Sequence, residues 1–155
     1  MNIDFSNLNL QYLKYKDDIN LNIQNVLDNS RYIMGPQVGE LENNLEKFTG
    51  VNNVIACSSG TDALILAMMA IDIQPGDEVI TTPFSFISTA ETISLLKAKP
   101  VFVDIDPDTF NIDATKIESE ITSKTKAILP VSLFGQPADI NSIDLVAKKY
   151  NLKVM

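Results

Sequence analysis

The sequence predicts an α/β fold in which a mainly parallel sheet is flanked by helices, and two observations carry this. Apolar, β-branched segments recur at 54–57, 79–82, 101–104, 127–131 and 152–155, with starts 22 to 26 residues apart, which leaves room for a helix in each gap. Helix-like patterns at 88–96, 115–121 and 141–150 fill three gaps, and residues 58–62 open a helix over 63–71 in the first. Alternation of this kind gives parallel strands covered by helices on both faces. Ligands of such sheets bind beyond the carboxyl ends of the strands, which singles out 58–62, 82–86 and 132–136.

Two helical patterns precede the first apolar segment. Over 13–27 one face carries Lys16, Ile19, Ile23, Val26 and Leu27; over 38–48 another carries Leu41, Leu45 and Phe48. Between them, Arg31-Tyr32-Ile33-Met34-Gly35-Pro36 reads as a loop, because Gly and Pro punctuate it. There are no internal repeats, low-complexity tracts, long linkers or composition shifts. The string Ser58-Ser59-Gly60-Thr61-Asp62-Ala63-Leu64 joins the segment 54–57 to an apolar helix. Free N–H groups at a helix start favour an anion, Gly60 allows close backbone approach, and the Ser59 and Thr61 hydroxyls are expected to add donors. Read alone, the string favours an ordinary N-cap over an anion site.

Composition sets the outer bounds. The chain of 155 residues is 45% hydrophobic, enough to bury the core of one ordinary domain. No apolar run approaches the roughly 20 residues that span a bilayer, and the start of the chain, with Asp4, lacks a basic region followed by an apolar one. A cytoplasmic location is expected. Cys57 is the single cysteine, expected to be a packed thiol at a strand end, and there is no histidine. Ser-His-Asp catalysis and His- or thiolate-ligated metal sites are thereby excluded, and no metal is expected. A net charge of −8 argues against nucleic acid but leaves a locally bound phosphate open.

Tyr32-Ile33-Met34-Gly35-Pro36, Leu41-Glu42, the Ser58–Leu64 string, Gly76-Asp77-Glu78-Val79-Ile80-Thr81-Thr82-Pro83-Phe84-Ser85-Phe86 and Thr89-Ala90-Glu91-Thr92-Ile93 together resemble the DegT/DnrJ/StrS family of sugar aminotransferases. Lys99-Pro100-Val101-Phe102-Val103-Asp104-Ile105-Asp106-Pro107 and Leu129-Pro130-Val131-Ser132-Leu133-Phe134-Gly135-Gln136-Pro137-Ala138-Asp139 continue the likeness, which runs from about Phe5 to Met155. It rests on the order and spacing of these strings rather than on any one. The resemblance implies the aspartate-aminotransferase-like (fold type I) fold of enzymes dependent on pyridoxal 5'-phosphate (PLP). Residues 1–50 would form an N-terminal helical segment with a substrate-facing loop, and 51–155 the N-terminal part of the PLP-binding large domain. It implies a homodimer that transfers an amino group from an amino-acid donor, glutamate, to a nucleotide-linked keto sugar, with no nucleic acid or membrane as partner.

The same resemblance assigns residues. Gly60 and Thr61 match the positions that hold the cofactor phosphate, and Asp62 is expected to cap the helix. Phe86 matches the aromatic that stacks on the pyridine ring; without the family it would read as a core aromatic. Tyr32, Met34 and Gly35 match a loop facing the sugar near the dimer interface. Ser132 stands where relatives often carry a histidine. The resemblance places the family's pyridinium-paired aspartate and Schiff-base lysine beyond residue 155, so no catalytic residue is expected within this chain, and its Lys and Arg residues are read as solvated surface. Three readings follow: the cofactor-phosphate half of an aminotransferase, a non-catalytic binding or interaction module, or a sugar dehydratase of the same family. Within the first, 89–139 looks closest to enzymes acting on the 3-keto form of a nucleotide-linked N-acetylated sugar acid. In this fold the segment 54–57 would pair with a strand from beyond residue 155, while the next four strands neighbour one another.

Overall fold

A computed structural model describes residues 6–155, so Asp4 and Phe5 lie outside the described part. The chain divides into two compact units, 1–56 and 57–155. In the first, α1 (Leu8–Asn29) is capped by the Asn7 side chain, which accepts from Leu10 N–H, and kinks at Tyr15. α2 (Pro36–Thr49) starts with proline at its first position, where no backbone donor is needed, and ends at Gly50 in the left-handed region. Neither helix buries a residue completely, so their apolar faces stay exposed.

The second unit runs α3 (Gly60–Ala70), β1 (Glu78–Thr81), α4 (Ser88–Leu95), β2 (Lys99–Phe102), α5 (Ala114–Ile117), a 3₁₀ turn, β3 (Thr125–Ile128), α6 (Ile140–Tyr150) and β4 (Lys153–Val154). The strands form one parallel sheet in the order β2-β1-β3-β4. Alternate side chains go to opposite faces. Val79, Ala127 and Leu129 pack with Met68, Ile73, Ile93 and Ala98 under α3 and α4. Ile80 and Ile128 pack with Val103, Ile112, Ile117, Ile143 and Ala147 under α5 and α6. The α/β class with a parallel, doubly covered sheet is therefore as the sequence predicts.

The segment 54–57 pairs with no strand among the described residues, as expected if its neighbour lies beyond residue 155. It forms no ladder: Glu46 Oε1 accepts from Val54 N–H at 3.0 Å and Glu42 Oε1 from Ala56 N–H at 2.8 Å, so carboxylates of α2 stand where a neighbouring strand would. Cys57, expected to be packed, is exposed, because the segment it ends is not in the sheet.

At the amino end of the sheet Glu78 is buried yet charged. One carboxylate oxygen accepts from the Thr122 hydroxyl at 2.6 Å and the other meets Lys99 at 3.0 Å. Lys99 is therefore more than a solvated cation, although most of its side chain is exposed. The Thr122 hydroxyl first, and Lys99 second, hold the Glu78 carboxyl below its usual range. A depressed folded-state pKa contributes stability that is present above the unfolded carboxylate pKa and lost as pH falls through the folded one. Glu78→Gln is expected to lower the midpoint of denaturant unfolding at pH 7, with the gap from wild type closing as pH is taken down through the carboxylate range. A gap that stays constant with pH would rule out this linkage.

Candidate functional site: a helix-start cradle and an exposed aromatic

α3 feeds β1 through the short link 71–77, so its N-terminus faces the carboxyl ends of the strands. Ser59, in extended conformation, is the N-cap: its Oγ accepts from Asp62 N–H at 3.1 Å. The sequence assigned that cap to Asp62. Asp62 instead receives both serine hydroxyls on one carboxylate oxygen, from Ser59 at 3.1 Å and from Ser58 through a closer contact. Hence Ser59 is not the spare donor the sequence suggests. Ala63 N–H bonds the Ser59 carbonyl at 3.0 Å. The N–H groups of Gly60 and Thr61 and the Thr61 hydroxyl remain without partners among the described residues. Around Gly60 the space is open: a Cβ built there meets nothing within 4 Å. The donors that remain are those of the two residues expected to hold a phosphate, and the missing Cβ leaves the approach to them clear.

Phe86 lies in the turn between β1 and α4, 70% exposed. The core-aromatic reading therefore fails. It borders a cavity of about 120 Å³ with Thr82, Ser85, Thr89 and Phe102. The sequence reading missed a neighbouring cluster: Phe84, Phe110 and Phe134 meet ring to ring with centroids 5.8 to 6.2 Å apart. Nothing in their spacing of 26 and 24 residues marks them as a set except the α/β period itself, which brings loops to one edge of a sheet. Ser132 is exposed in the turn that closes with Gly135 N–H on its carbonyl at 3.0 Å.

A larger cavity of about 330 Å³ is bordered by Asp106, Asn111, Asp113 and Asp139 among others. Its carboxylates are already engaged. Asp106 accepts from Thr109 N–H and hydroxyl, Asp113 from the Thr115 hydroxyl and N–H, and Asp139 from Ser142, and these bonds hold all three below the usual carboxylate range. Among the described residues no cluster of acidic, Cys or His side chains is arranged to hold a metal ion.

Tyr32 and Met34 are 63% and 74% exposed, and Met34 adopts φ 48°. Gly35 is buried, and a Cβ there would sit 2.5 Å from the Arg31 carbonyl oxygen, so the close approach requires glycine.

A doubly covered parallel sheet, a helix start with two free N–H groups beside open space and an exposed aromatic after the first strand define an α/β protein with an open helix-start cradle at the carboxyl end of its sheet. The chain belongs to the DegT/DnrJ/EryC1/StrS aminotransferase family, which it matches over residues 14–155. It is 50% identical over 153 residues to the UDP-2-acetamido-2-deoxy-3-oxo-D-glucuronate aminotransferase of Pseudomonas aeruginosa, covering 99% of this chain and 43% of that protein. A DegT/DnrJ/EryC1/StrS aminotransferase crystal structure from Brucella abortus superposes with a TM-score of 0.93 at 39% identity, over 99% of this chain and 43% of that one. The Bacillus subtilis ntda structure with bound cofactor PMP gives 0.89 at 40% identity, over 91% and 32%. The chain thus spans less than half the length of these relatives.

Because a Cβ at Gly60 meets no protein atom, Gly60→Ala is expected to leave thermal stability unchanged or to raise it by up to about 1 kcal/mol of helix propensity. If the cradle takes a phosphate, the same substitution weakens PLP binding, measured by fluorescence titration, by about tenfold. Loss of stability in step with binding would assign Gly60 a packing role instead.

Proposed function

We propose that this chain forms the cofactor-phosphate half of a PLP-dependent aminotransferase that moves an amino group from glutamate to a nucleotide-linked keto sugar, in nucleotide-sugar and surface-polysaccharide biosynthesis. The observation that carries the reading is the pair of free N–H groups of Gly60 and Thr61, at the family's phosphate positions, beside open space. The 50% identical relative supports a 3-keto, N-acetylated, nucleotide-linked sugar acid as substrate.

In this reading Gly60 and Thr61 hold the phosphate with backbone donors and the Thr61 hydroxyl, at the positive end of the α3 dipole. Phe86 presents its exposed ring as a platform for the pyridine, worth about 1 kcal/mol beyond burial. Asp62 draws the serine hydroxyls aside, which keeps the backbone donors free. When bound, the cofactor supplies the electron sink for amino transfer. Tyr32, Met34 and Gly35 face the sugar, and the protein works as a cytoplasmic homodimer, consistent with the exposed apolar faces of α1 and α2.

Thr61→Val keeps volume and removes one hydroxyl; PLP titration is expected to register a loss of roughly 1.5–3 kcal/mol, the worth of a bond to a charged acceptor. Equal affinities would sink the assignment. Light scattering over a range of concentrations is expected to find a dimer, and a concentration-independent monomer would remove that part of the reading.

A further inference from the structure

We propose that the hydroxyls of Ser85 and Thr89 act as a positioning pair that fixes the orientation of the Phe86 ring. The ring itself is 70% exposed, so packing on its faces holds little of it. Its orientation is left to the backbone of the turn, which sets the accessible rotamers. That turn lacks one ordinary restraint, a side-chain cap on the helix it opens. α4 begins after Ile87, an aliphatic N-cap with no side-chain bond to the helix start, where Ser, Thr, Asp or Asn would normally serve.

Ser85 and Thr89 supply the missing restraint, their oxygens 2.8 Å apart. One precedes Phe86 directly and the other follows by three, so the bond closes a ring around it. Inside that ring Thr89 N–H donates to the Phe86 carbonyl at 3.2 Å. Ser85 N–H is tied to the Pro83 carbonyl at 3.1 Å, and Phe84 N–H to the Thr82 hydroxyl at 3.3 Å. Thr89 is 6% and Thr82 2% exposed, so water competes little for these hydroxyls and the bond holds its geometry. Ser85, Phe86 and Thr89 also border the same 120 Å³ cavity, so a change in the pair changes the surface under the ring.

That Phe86 carries a cofactor rests on the function proposed above; that the pair fixes the ring does not. The test therefore has two arms on the full chain. In the first, three-bond couplings give the Phe86 side-chain torsion without ligand. Wild type and Thr89→Ser are expected to hold one rotamer, and Thr89→Val to average between rotamers while Phe84 is unchanged. One rotamer in Thr89→Val, or averaging in wild type, would overturn the proposal. Should Thr89→Val fail to fold, Ser85→Ala, at the half-buried end of the bond, gives the same reading.

In the second arm PLP is added. Thr89→Val is expected to keep affinity within about threefold, since the phosphate is held elsewhere. Its induced circular dichroism is expected to fall, and Thr89→Ser to restore it. Unchanged dichroism in Thr89→Val, with averaged couplings, would show that the cofactor does not read the ring. Absence of any bound signal in wild type would overturn the cofactor reading, with the positioning pair decided by the couplings.

Discussion

β1 has neither a face nor an edge left for water, and the rest of the second unit is arranged around that fact. Its four residues are all buried, with β2 paired on one side and β3 on the other. A strand enclosed in this way needs helices over both faces and parallel neighbours brought back by crossovers. Val79 and Ile80, adjacent in sequence, belong to different cores, so a register slip of one residue would exchange them. Glu78 and Thr81 are the buried polar exceptions, and both are spent on cross-links. Glu78 reaches Thr122 and Lys99, and the Thr81 hydroxyl donates to the Leu129 carbonyl at 2.8 Å.

Much of this was legible in the sequence, because burial on both faces writes itself as short continuous apolar runs. The errors at strand ends have local causes. The run predicted at 101–104 is observed as Lys99–Phe102, and the sheet order makes that strand an edge, where Pro100 costs no ladder bond on its outer side. The run at 127–131 is observed as Thr125–Ile128, although Leu129 N–H still donates to the Ile80 carbonyl before Pro130 ends the pairing. The run at 54–57 has no strand neighbour among the described residues. Apolar composition predicts a strand only if a neighbour supplies the ladder, and here side chains answer the backbone.

The site was legible in outline and opaque in detail. That Gly60 and Thr61 stand at a helix start follows from the string itself. That Asp62 takes both serine hydroxyls does not, since Ser, Thr and Asp compete for the same cap and only coordinates decide which one accepts. The exposure of Phe86 was likewise invisible: an aromatic three residues after a proline, behind a buried strand, reads as core by composition. The trio of Phe84, Phe110 and Phe134 is the converse case. Three aromatics far apart in sequence meet because the loops that carry them end at one edge, and Phe110 does so in a left-handed conformation, φ 60°, that its side chain disfavours.

The pairing of Glu42 and Glu46 with Ala56 and Val54 works because two unlike rulers agree. Four residues of helix advance about 6 Å, and two residues of extended chain advance about 6.6 Å. Glutamates one helical turn apart therefore meet N–H groups two residues apart, the helix running opposite to the segment, with a misfit that a flexible side chain absorbs. The agreement ends after two rungs: continuing it would require carboxylates at positions occupied by Val38 and Gly50. The device is thus a vernier rather than a ladder. It fixes the phase of the extended segment, since a slip of one residue turns both N–H groups to the opposite side, and it leaves that opposite side, with Ile55 82% exposed, free of any commitment.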